Sequence, residues 1–124
     1  MGIKLIKIGI VYLLVGMGLG VYMGASMDFG LHPLHAHINL LGWTLLALSG
    51  LIIHAFPQIE QSPLAKVYFW LYNVSVPVTM VALFMELRGN SEAGPILGLG
   101  SVLITVSAAC FAWLIFTRLP GEKR

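Results

Sequence analysis

The stretch Leu31–Trp43, LHPLHAHINLLGW, places His32, His35 and His37 close together and then turns into a long apolar run. From Leu34 to Phe56 the chain carries no Asp, Glu, Lys or Arg. A helix crossing a bilayer needs roughly 20 mainly apolar residues. Pro33 suits the first turn of such a helix, since its missing N–H would lack a partner there anyway, and it sets His32 at the cap or just outside. The stretch reads as the mouth of a membrane helix.

The rest of the chain repeats that pattern. Of 124 residues, 58% are hydrophobic and 10% charged, and the mean hydropathy is +0.90. Soluble domains carry about a quarter charged residues. A chain this short and apolar has the bilayer as its natural solvent. Four spans are expected, at about 6–25, 34–56, 65–87 and 95–117, joined by SMDFGLHP, PQIEQSP and RGNSEAG. Such short loops join antiparallel neighbours, so the expected fold is all-α, an up-down four-helix membrane unit in a single domain. The opening MGIKLIK and its apolar run resemble a signal peptide, but the run exceeds the usual 7–15-residue core of one, so a first membrane helix is expected.

Charge sets the orientation. Lys4, Lys7, Lys66, Arg118, Lys123 and Arg124 fall on the side shared by both termini and the middle loop, and Arg88 falls on the other. Positive residues favour the cytoplasm. Both termini are expected there, in a bacterial inner membrane, with the histidines toward the outer face. A net charge of +2 and the lack of a basic stripe argue against a nucleic-acid partner. The single Cys110 excludes an internal disulfide and reads as a packing residue.

Gly16, Gly20 and Gly24 recur every four residues, as do Gly94 and Gly98, with Ser101 and Thr105 following. In lipid such spacing brings helix backbones together. Pro77 removes the bond to the Asn73 carbonyl. A bend is expected, with Asn73 and Ser75 as local partners for that carbonyl. Glu86 and Arg88 close the third span at the interface. No nucleophile beside a histidine, carboxylate pair or phosphate loop is visible.

Two residues apart on a helix, His35 and His37 diverge by about 200°. Ligands to one metal need a spacing of three or four, so two sites or two partners are implied. His54 lies roughly 25 Å further along the axis at 1.5 Å per residue and belongs to the opposite interface. Ionisable groups within a membrane helix are costly and usually functional, and Asn39 adds a polar group at the same depth. Neutral imidazole is an axial ligand for haem iron, and an apolar interior suits the macrocycle. Haem at His37 is one reading. A copper or zinc site using His37, His35 or His32, with an open position, is another.

HAHINLLGW, with Phe56–Pro57 closing the helix, resembles the second helix of heme-copper oxidase subunit I proteins. It is most similar to the nitric oxide reductase branch, where a His-x-Asn-Leu-Leu stretch supplies a low-spin haem ligand. His37-Ile38-Asn39-Leu40-Leu41 matches that pattern. The chain as a whole, including YNVSVP, resembles the short four-helix members called cytochrome c oxidase-like. The resemblance implies one four-helix arc of the three that build subunit I, with His37 as an axial ligand to haem b. His35-Ala36-His37 is similar to the His-x-His pair that serves two haems in the family. A homotrimer rebuilding the ring is thus implied, with haem between protomers, Arg88 on its propionates, and a redox partner. The third and fourth spans hold no histidine. The centre that reduces oxygen or nitric oxide therefore has no ligands there, and the expectation is electron transfer or haem and gas sensing.

Overall fold

The computed structural model describes residues 1–121. Lys123 and Arg124, two of the charges used to orient the chain, lie outside the described residues. Four helices account for most of the chain and no strand occurs among the described residues: α1 (Gly2–Ser26), α2 (His32–Ala55), α3 (Pro63–Leu87) and α4 (Gly94–Arg118). All four are long and apolar enough to cross a membrane. The fold is the four-helix membrane unit expected, with α1 starting four residues earlier than expected.

The ends follow local chemistry. Met27 takes a left-handed turn at φ 57 and stops α1. Ser62 caps α3 by accepting the Leu64 N–H at 3.3 Å, with Pro63 at the first helical position. Gly89, at φ 90, turns the chain after α3, and Asn90 accepts the Glu92 N–H at 3.2 Å in a 3-10 turn, Ser91–Ala93, that leads into α4.

Each helix packs antiparallel on its neighbour in sequence, so the helices form a row. Edge and centre differ in burial: 17% and 22% of the α1 and α4 spans are buried, against 33% and 39% for α2 and α3. A closed bundle would level those values. Here α1 and α4 are free edges.

The α1–α2 seam is built on glycine. Gly2, Gly9 and Gly16 are buried along one line of α1, with Met23 continuing it. A Cβ at Gly2 would strike the Gly50 carbonyl, and one at Gly16 would strike Asn39. The operative spacing is therefore seven. Of the expected four-residue series, Gly16 is buried in the seam and Gly20 lies beside His35, while Gly24 faces open space. Gly98 is likewise open, and the tight glycine contact of α4 is at Gly100, against Thr79 of α3.

The α2–α3 seam relies on two fully buried tyrosines. Tyr68 Oη donates to Ser49 Oγ at 2.9 Å, and Tyr72 Oη donates to the Leu41 carbonyl at 2.6 Å. Buried hydroxyls need such partners, and lipid offers none. Ser107 Oγ of α4 donates to the Tyr68 carbonyl at 3.2 Å, and Phe111 stacks on the Tyr68 ring at 4.9 Å. Around Pro77 helix α3 runs on unbroken. Asn73 Nδ2 donates to Phe69 O at 2.7 Å and Ser75 Oγ to Leu71 O at 2.6 Å. These groups thus serve carbonyls one turn away, rather than the Asn73 carbonyl as expected.

Candidate functional site

Helix α2 is not uniform. An α-helical turn, His32–His37, passes into a π-helical segment, Ile38–Thr44, and returns to α over Leu45–Ala55. The bond from Leu45 N to Leu40 O spans five residues, as the wider ladder requires. Thr44 Oγ1 donates to the Asn39 carbonyl at 3.2 Å across the same wide turn. Such segments are rare and frequently sit at functional sites. This one begins directly after His37.

The three histidines have different surroundings. His35 faces α1: its Nδ1 bonds the Gly16 carbonyl at 2.6 Å, and its Cε1 lies where a side chain on Gly20 would press. A carbonyl only accepts, so Nδ1 carries the proton and Nε2 keeps a lone pair in the neutral ring. This bond between helices contributes about 0.6 kcal/mol by the average for its class in membranes. His37 is exposed and faces away from the other helices of the chain. Its Nδ1 bonds the Pro33 carbonyl one turn back at 2.6 Å, which leaves Nε2 facing outward. His32 is exposed at the first helical position after the Leu31 cap, and its ring centre lies 6.4 Å from that of His35. His54 stands at the other end of α2, beside Gly2.

Asn39 sits a turn below His35, with Nδ2 3.4 Å and 3.5 Å from the two ring nitrogens. Near-equal distances put the amide beside the ring rather than on one nitrogen. Asn39 Oδ1 is buried against Gly16 with no donor in reach. Arg88, in the loop after α3, bonds Asp28 at 3.1 Å. The Gly30 N–H and Arg88 hold the Asp28 carboxyl below its ordinary value, and Asp28 raises Arg88 in turn. The pair ties the two loops at the histidine end. At the opposite end the Met1 ammonium bonds Glu60 at 2.8 Å.

A groove of ≈ 380 Å³ between α1 and α2 is lined by Ile8, Val11, Tyr12, Val15 and Ile38. It is apolar and adjoins the histidine turn through Ile38. The larger groove, ≈ 520 Å³ between α3 and α4 beside Pro77, carries no histidine. Among the described residues no three His, Cys, Asp or Glu side chains gather closely enough to hold a metal. Tyr72 and the π segment went unread in the sequence. A tyrosine pair four residues apart in an apolar span is the signal that marks Tyr72, since each hydroxyl must find an acceptor. No family model, curated protein or solved structure matches the chain.

Proposed function

We propose that the chain is a bis-His haem b-binding membrane protein, working in electron transfer or in haem or gas sensing. The observation that supports this reading is His37. It stands in the first turns of a membrane helix, is turned out of the protomer, and holds its ring by a bond from Nδ1 to its own backbone. Axial imidazoles are oriented in this way, with one nitrogen on a carbonyl and the other free for iron. His35 has the same arrangement, with Nδ1 on Gly16 and a lone pair on Nε2. The donor set thus suits the group.

His37 of one protomer and His35 or His37 of the next would hold the iron in a homotrimer. Asn39 lies against His35 and limits its tilt. Arg88 at the same end is the cation for the propionates, with Asp28 as its partner otherwise. A bound haem b supplies a one-electron couple. The positive residues Lys4, Lys7, Lys66 and Arg118 support a reading with both termini in the cytoplasm and the histidines toward the outer face of a bacterial inner membrane.

The close approach of His32 and His35 favours a second reading. Copper or zinc would use this pair, with further ligands from another protomer.

An absorption spectrum of the purified protein separates these. Bis-His haem b gives a Soret band and sharp reduced alpha bands, lost in His37→Ala and kept in His54→Ala. Colourless protein with stoichiometric copper or zinc supports the second reading. Protein with neither is an accessory or assembly subunit instead.

A further inference from the structure

Tyr72 bonds neither His35 nor His37, yet its hydroxyl ends at a telling atom. The π ladder of α2 closes with the bond from Leu45 N to Leu40 O. Where a five-residue ladder reverts to a four-residue one, the next carbonyl is passed over by the backbone. That next carbonyl is Leu41 O, and Tyr72 Oη donates to it at 2.6 Å from a neighbouring helix. An unpaired carbonyl in lipid is costly, so without this hydroxyl the wide turn loses its compensation. The remaining hydroxyl bond across the turn, Thr44 Oγ1 to Asn39 O, is longer, at 3.2 Å, and lies on an exposed residue.

A π segment accommodates one extra residue. If it closes to regular α-helix, the residues before it must turn by about 100° relative to those after it. His35 and His37 lie just before it and Leu46, Ser49 and Ile53, buried in the protomer, lie after it. We infer that Tyr72 is a positioning residue: it pins the π turn of α2 and so sets the directions in which His35 and His37 point. The bearing of this on haem rests on the function proposed above. The positioning itself does not, and the two are tested apart.

The experiment compares nitrogen-15 spectra of the histidine side chains in wild type, Tyr72→Phe and Tyr68→Phe, in bilayers without added haem. Tyr68 is the control, since it is equally buried but bonds Ser49 in the regular part of α2. In Tyr72→Phe the His35 Nδ1 signal should lose its hydrogen-bonded shift, or split into two populations, and the His37 signal should split with it. In Tyr68→Phe both should stay at their wild-type positions. Unchanged signals in Tyr72→Phe, or equal changes in both variants, overturn the inference. Should Tyr72→Phe fail to fold, deletion of exposed Leu40 removes the extra residue and with it the need for Tyr72. Tyr72→Phe should then fold in the deleted background with the His35 shift restored, and failure there marks Tyr72 as mere packing and overturns the inference. Spectra that move as expected in a protein that never takes up haem leave the positioning standing and remove only the haem reading.

Discussion

Individual residues at the histidine end of the row do separate jobs despite their crowding. His35 is drawn into the α1–α2 seam by Gly16, and His37 is left facing outward. Helix periodicity alone separates these two, because 200° of rotation puts them on opposite sides. It leaves open which of them faces a neighbouring helix. The pairing of Arg88 was legible only as a charge near the histidine end, and Asp28 is its partner. This pair carries a pH dependence with a definite sign. The Asp28 carboxyl is held below its ordinary value of 3.8. Its contribution to stability is complete above that value and is lost as pH falls through the lower folded one. Thermal midpoints in detergent should therefore drop more steeply below about pH 4 in wild type than in Asp28→Asn. Parallel curves for the two proteins would show that the clasp does nothing for stability.

Among the elements, α1 and α2 are joined by absence of side chains. Gly2 and Gly9 let backbone approach backbone, Gly16 makes room for the Asn39 side chain, and Gly50 answers from α2. The four-residue glycine spacing is the more visible pattern in the sequence. The seven-residue line does the packing, since an antiparallel pair crossing at a small angle keeps contact every second turn. Substitution distinguishes the two patterns. Gly2→Ala, on the seven-residue line alone, drives a methyl into the Gly50 carbonyl and should cost about 1–3 kcal/mol of unfolding free energy. Gly24→Ala, on the four-residue series alone, meets no protein atom and should stay within about 0.5 kcal/mol of wild type. Denaturant titration of both variants in one detergent measures the difference, and equal losses would remove the seam from the account.

The whole molecule is an open row of helices rather than a closed bundle. Its outer helices are the least buried, and Leu14, Met17, Val21, Leu99, Val102 and Phe116 on them are exposed. Lipid can cover such edges, and so can copies of the same chain. The proposed homotrimer would cover part of this apolar surface with copies of the same chain. Native mass measurement in mild detergent should give three chains, and a stable monomer or dimer with full haem occupancy would sink the trimer.

The apolar runs and their breakers by themselves determined the all-helical membrane fold, the number of spans and the short antiparallel connections. They suffice because lipid leaves a backbone no other way to satisfy its hydrogen bonds, so length and hydropathy dictate the element. The order in which hydroxyls, carbonyls and imidazoles meet was decided only by the tertiary structure. The spacing of Tyr68 and Tyr72 says that each hydroxyl needs an acceptor, but only the packing of α3 on α2 brings the Leu41 carbonyl, in the π segment, to Tyr72. Contacts between distant positions carry no periodic signature, whereas burial in lipid does.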